Sequence, residues 1–259
     1  MLKAKHGFSF VVAAVSVLLL VACGDDNSDF ATHPSEGSSS SVTPQSSSSS
    51  KVTEPAEVTT GTMTDSRDGL TYKTVTIGTQ TWMAENLNYE TENSYCYKDN
   101  ASNCSKYGRL YIWAAAMDSV GTWSTNGKGC GYGTTCSPTY PVRGICPEGW
   151  HLPTKADFET LFTAVGGKSI AAQKLKSTTG WTTYRGITNE DAFAFSALPA
   201  GFRLDDGYFS SEGYDAFFWS STEYGSDFAY YVGLGYNDGD ASLGSSYKSY
   251  GFSVRCLKD

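Results

Sequence analysis

Six cysteines, Cys96, Cys104, Cys130, Cys136, Cys146 and Cys256, follow a chain start that reads as an export leader. Outside the cytoplasm an even set of this kind implies disulfides, and cross-links restrict a fold more tightly than any apolar pattern. Six cysteines still admit many connectivities. The local reading pairs Cys96 with Cys104 and Cys130 with Cys136, each closing a short polar loop, and leaves Cys146 for the distant Cys256. A metal reading fits poorly. No C-x-x-C is present, and His151 is the only histidine in the region that carries these cysteines.

The leader has Lys3 and Lys5 ahead of an apolar run over residues 8–21. That run is shorter than a comfortable membrane span and has the layout of a secretory signal. It ends in Leu20-Val21-Ala22-Cys23-Gly24, which resembles the lipobox of bacterial lipoproteins. The resemblance implies a signal peptide over residues 1–22 and a Cys23 whose acyl chains hold the protein in the bilayer. Gly24-Asp25-Asp26 reads either as a sorting signal or as the solvated start of a linker.

From Ser28 onward the chain is dominated by Ser, Thr, Pro, Gln and Glu, with serine blocks at residues 38–41 and 46–50. Such a segment buries too little apolar surface to offset the entropy of ordering it. Residues 23–59 are therefore read as a disordered tether with an r.m.s. span of roughly 30 Å. Residues 60–259 remain for one domain, long enough to bury a sizeable core. The net charge of -8 becomes more negative once the two leader lysines are gone, and no basic cluster exists. Nucleic acid is excluded as a natural partner on that ground.

Within the domain, residues 70–77 and 80–83 read as a hairpin turning at Gly78-Thr79. Leu110, Trp113, Met117 and Val120 have helical spacing, so residues 108–120 are expected to be a helix. Residues 122–140 are glycine-, threonine- and cysteine-rich and read as an irregular stapled loop. The strongest helix signal follows Pro153: Thr154 as N-cap, Asp157 as its capping-box partner, Gly166-Gly167 as the stop. Its buried face would be Phe158, Leu161, Phe162 and Val165, and a shorter helix is expected over residues 169–176.

Period-two patterns then predict strands at Phe193-Phe195-Ala197, over residues 217–221, at residues 228–236 and at Phe252-Val254-Cys256. The fold class is α+β: an early hairpin, two to three helices, and an antiparallel sheet with long loops.

Six strings resemble the Fibrobacter succinogenes major paralogous domain. They are residues 77–87 (IGTQTWMAENL), 108–113 (GRLYIW), 146–154 (CPEGWHLPT), 198–203 (LPAGFR), 218–223 (FWSSTE) and 253–256 (SVRC). The resemblance implies a C-type lectin-like fold, with a final strand beside the first and a bridge from Cys256 to a helix-proximal cysteine. That topology agrees with pairing Cys146 and Cys256. The Glu-Pro-Asn, Gln-Pro-Asp and Trp-Asn-Asp strings of calcium-dependent lectins are missing from this sequence.

The chemistry-bearing residues are few. His151, before a helix start, is expected to be structural, and no G-x-S-x-G elbow accompanies it. Glu223 and Asp191 are conceivable paired carboxylates for a polysaccharide-acting enzyme. Asn237, Asp238 and Asp240 offer oxygen ligands of the kind calcium takes, in a composition that is equally that of a turn. Tyr208, Tyr214, Tyr224, Tyr236 and Tyr247 fall in or near late loops, where aromatics can stack on sugars or anchor a protein partner.

The sequence thus points to a lipid-anchored envelope or surface module. Its ligand is expected to be a glycan, other surface polymer or surface protein, held by Tyr208, Tyr214, Tyr236, Tyr247, Asp238 and Asp240, without catalysis. An extracytoplasmic enzyme and a purely structural lipoprotein are the rivals.

Overall fold

The computed structural model describes residues 58–259. The signal peptide expected at 1–22, the expected lipidation site Cys23 and the expected tether up to residue 57 lie outside the described residues. Among the described residues no helix is long and apolar enough to cross a membrane.

The described chain begins with β1 (Val58–Thr64), which pairs antiparallel with β2 (Thr71–Ile77). This strand starts inside the stretch read as tether. Its four threonines are all exposed, and the ladder to β2 with Met63 against the core holds the strand. The expected hairpin of β2 and β3 (Gln80–Met83) forms, closing at Ile77 opposite Gln80 with Gly78 at a φ of 62°. A side chain would strain that left-handed position.

Next come β4 (Ser94–Tyr95), α1 (Ala101–Tyr107), β5 (Leu110–Ile112) and the single-turn α2 (Trp113–Ala116). The helix expected over 108–120 is thus mostly something else. Leu110–Ile112 is drawn into a sheet between β4 and the late strand β12 (Gly251–Phe252), and helical geometry survives only at 113–116. Val120 is 74% exposed, so the apolar stripe does not continue.

After β6 (Trp150–His151), helix α3 (Lys155–Ala164) starts where the capping box put it. Thr154 Oγ1 accepts the Asp157 N–H at 3.1 Å, and Asp157 Oδ2 accepts the Thr154 N–H at 2.8 Å. Phe158, Leu161 and Phe162 are buried on its inner face, with Val165 buried just beyond. Gly166 and Gly167, both at positive φ, end it, and α4 (Lys168–Leu175) follows.

The strand expected at 193–197 does not form. Phe193, Phe195 and Ala197 are buried as the alternation required, but Ala194 and Ser196 sit at positive φ. The carbonyls of Phe195 and Ser196 accept hydrogen bonds from the Arg255 guanidinium instead of a neighbouring strand.

The remaining strands are β7 (Ala200–Arg203), β8 (Phe209–Glu212), β9 (Asp215–Glu223), β10 (Phe228–Gly235), β11 (Ala241–Tyr247) and β13 (Leu257–Lys258). Two sheets result. One has the order β1-β2-β3-β13-β6, the other β11-β10-β9-β7-β12-β5-β4 with β8 on β7. All pairings are antiparallel except β7 with β9. Two buried clusters follow from the alternation along β9. Phe218 packs with Trp82, Phe158, Leu161 and Val232, while Trp219 packs with Trp113, Phe252 and Val254.

The three disulfides pair as the local reading expected: Cys96–Cys104, Cys130–Cys136 and Cys146–Cys256, the last spanning 110 residues. His151 is a clamp. Its Nδ1 lies 2.7 Å from Asp259 Oδ1 and its Nε2 3.9 Å from Asp157 Oδ2, joining the chain end to the α3 cap.

Burial works against the charged imidazole, but the hydrogen bonds to Asp157 and Asp259 outweigh it and raise its pKa. A raised histidine contributes stability below its unfolded pKa, about 6.5, that is lost as pH climbs through the folded value. His151→Gln should therefore destabilise the domain more at pH 6 than at pH 9, as read from urea midpoints. An equal loss at both pH values would contradict the clamp.

Candidate functional site

The late-loop residues named from sequence divide into two groups. Tyr214 precedes β9 and Tyr236 follows β10, and the Tyr236 N–H donates to the Tyr214 carbonyl at 2.8 Å. Their rings meet edge to face at 5.0 Å, and Tyr184 approaches Tyr236 in the same manner at 5.6 Å. Tyr184 and Tyr214 are about half exposed. Together they form a ridge of three phenols beside Asn237, Asp238 and Asp240. A shallow pocket there is lined by Asp215, Asp238, Asp240 and Ser242.

Tyr247 lies at the opposite end of β10–β11, where it packs at 4.4 Å on Phe228. Strand rise separates the two ends by about 20 Å. Tyr208, 66% exposed, stands in the turn between β7 and β8, where its carbonyl accepts the Leu204 N–H. Tyr208 and Tyr247 thus do not join the residues around Tyr236. Tyr224 packs on Tyr230 near the end of β9 and is also apart from the ridge.

The ridge is held by a buried cation. Lys176, directly after α4, is fully buried, and its Nζ donates to the carbonyls of Gly235 at 2.7 Å and Asp238 at 2.9 Å. Its ammonium also sits 5.2 Å from the Trp181 ring. Burial pulls its pKa down to about 8, with the Asp238 charge acting the other way. The Gln173 N–H adds a bond to the Gly239 carbonyl at 3.2 Å. A loop tied at three carbonyls presents its side chains in one arrangement, which lowers the entropy lost on binding.

The acids of this loop act on one another. A hydrogen bond between their carboxyls lowers the pKa of Asp238 and raises that of Asp240. Burial raises that of Asp215, against a hydrogen bond from Ser211. Among the described residues no group of three or more His, Cys, Asp or Glu side chains is arranged to hold a metal ion.

The two carboxylates considered for catalysis are both engaged internally. Glu223 accepts the ammonium of Lys248, which is 1% exposed, and the Cys136 N–H at 3.2 Å. Asp191 accepts the Ser196 N–H at 2.7 Å and its hydroxyl at 2.6 Å.

Sequence reasoning missed Tyr184 and Asp215. Tyr184 lies in a Trp-Thr-Thr-Tyr-Arg-Gly stretch whose composition marks a turn, and that is the only signal it carries. A separate cleft of about 450 Å³ between β2, the end of α1 and the loops at 177–179 and 191–198 was not anticipated either.

What the geometry defines is a disulfide-bonded α+β domain with anchored loops on a rigid sheet. The chain belongs to the Fibrobacter succinogenes major domain family, whose profile matches residues 75–258. That description names no ligand and no reaction. No curated protein and no solved structure matches the chain.

Most of the six strings noted in the sequence serve the frame. Asn86 of the first donates through Nδ2 to the Tyr107 carbonyl and Ser253 Oγ, and accepts Arg255 Nε at 2.7 Å. Trp219 donates to the Tyr111 carbonyl and Trp113 to the Ser220 carbonyl, both at 2.8 Å.

Proposed function

We propose that this protein is an extracytoplasmic binding module, tethered to the envelope through lipid on Cys23, that holds a glycan or similar surface polymer without turning it over. The observation that carries the reading is the ridge of Tyr184, Tyr214 and Tyr236 beside the loop fastened by Lys176. Exposed phenol rings offer an apolar face to the C–H side of a sugar and a hydroxyl at the edge. Asn237, Asp238 and Asp240 add acceptors for sugar hydroxyls. The internal hydrogen bonds of Glu223 and Asp191 also favour binding over hydrolysis, since each carboxylate already has a partner.

A lectin-like fold belongs to the same proposal. Its support is the bridge from Cys146 to Cys256, whereas the final strand β13 lies between β3 and β6 and not beside the first strand, β1, as the resemblance implied.

The test is retention of the protein on a panel of insoluble cell-wall and plant polysaccharides. Tyr184→Ala and Tyr214→Ala should each weaken retention about tenfold or more, as expected for aromatic anchors. Their melting temperatures should fall only slightly, because both side chains are about half exposed and lie outside the buried core. Parallel arms with calcium and with chelator decide whether the Asn237, Asp238 and Asp240 oxygens act through an ion. Release of soluble oligosaccharide during the assay would overturn the non-catalytic reading.

A further inference from the structure

The cleft of about 450 Å³ falls within the size range of small-molecule sites and shares no lining residue with the tyrosine ridge. Its floor is rigid. Asn86 spends both ends of its amide on Tyr107, Ser253 and Arg255, and Asp191 spends both carboxylate oxygens on Ser196. Behind the floor lies Arg255, fully buried, its pKa pulled down to about 9 by burial against the charges of Asp191 and Glu85.

The charges lining the cleft cancel: Lys73 and Lys106 against Glu85 and Asp191. Lys73 sits 3.8 Å from Glu85, and Lys106 lies over the Tyr107 ring at 4.4 Å. The net charge presented to a ligand is zero. Asn88 stands on the wall with a buried Oδ1 that has no hydrogen-bond donor. Nothing internal fixes that amide, and the soft side-chain torsion of asparagine lets it turn toward an incoming hydroxyl. Thr178 and Thr179, both exposed, bring hydroxyls to the rim, while Leu70 and Leu198 bring apolar surface.

We propose that this cleft is a second binding site, which takes a single uncharged sugar ring, such as the terminal residue of a glycan chain. The two cations and two carboxylates of the lining sum to zero, so no excess charge of either sign selects an ionic ligand. Hydroxyls and an unpinned amide flanked by leucines match the alternating O–H and C–H faces of a neutral pyranose.

The inference does not depend on the ridge, and the experiment separates the two. Backbone amide shifts of the domain are followed while neutral hexoses and pentoses, glucuronic acid and glucosamine are titrated in separate arms. Expected are saturable shifts at residues 84–88 and 177–179 with a neutral sugar, at a Kd on the order of 1 mM. Asn88→Leu should raise that Kd about tenfold, the worth of one good hydrogen bond. Thr178→Val, at an exposed rim position, should weaken binding in the same direction and guards against a folding defect in the first variant. Tyr214→Ala should leave the titration unchanged.

Shifts produced only by the charged sugars, shifts confined to residues 236–240, or no shifts at all would each overturn the proposal. Loss of polymer retention in Tyr214→Ala with intact monosaccharide binding would support both sites, whereas monosaccharide binding alone would support the cleft and sink the ridge.

Discussion

Replacing Cys146 and Cys256 together by serine is expected to remove about 5 kcal/mol of stability, the chain-entropy value for a loop of this size. The bridge closes 110 residues, whereas Cys96–Cys104 and Cys130–Cys136 close 8 and 6. The same relation assigns the short loops only about 2 to 2.5 kcal/mol each. Both sulfurs of the long bridge also lie at full burial, within the cluster that holds Trp113, Trp219 and Phe252. Chemical denaturation of the three double-serine variants checks the order. A long-bridge variant no weaker than the local ones would mean that the buried cluster alone holds the two ends together.

A comparable loss is expected when the Lys248–Glu223 pair is broken from one side. Lys248 is 1% exposed and donates to Glu223 and to the carbonyls of Thr134 and Ser226, each at 2.9 Å. Its ammonium also lies 4.7 Å from the Trp113 ring. The Glu223 side chain is 12% exposed, so Lys248→Met leaves a carboxylate facing low-dielectric surroundings, at a cost of about 3 to 5 kcal/mol. Glu223→Gln strands the ammonium in the same way. The double variant Lys248→Met, Glu223→Gln removes both charges and should recover a substantial part of the loss, giving a clear coupling term in a double-mutant cycle. Additive losses would show that the two groups act independently. Should any polysaccharide-cleaving activity be detected, this cycle also tells a folding defect of Glu223→Gln from a catalytic one.

The parts of the fold legible in sequence were those whose causes are local. Thr154, Asp157 and Gly166 specify α3 within a dozen positions, and Gly78 specifies a hairpin between two short runs. What failed was decided by distant chain. Leu110–Ile112 has helical spacing, yet β12, far along the sequence, recruits it into a sheet. Residues 193–197 alternate like a strand, yet Arg255 takes the carbonyls a neighbour would have bonded. β1 has only a faint apolar signature, Met63 alone packing on the core, because its order comes mainly from its ladder with β2.

The candidate site divides on the same line. Tyr214, Tyr236, Asp238 and Asp240 were legible as late-loop residues, but their meeting with Tyr184 and the reach of Lys176 are products of tertiary structure. Tyr208 and Tyr247 looked equivalent to them in sequence and stand elsewhere in space.

The strand order bears on when this chain can fold during its own synthesis. β13 lies between β3 and β6, and β12 lies between β7 and β5, so two late strands only a few residues apart hold interior positions in the two sheets. A domain arranged this way gains little from the usual N-terminal-first order of emergence. Until residue 251 and those after it leave the ribosome, β3 and β6 have no partner between them, Cys146 has no Cys256 to meet, and Asn86 has no Arg255. Both sheets therefore stay incomplete until the segment 251–258 has been made, and a truncation before residue 251 would open each of them at an interior position rather than trim an edge.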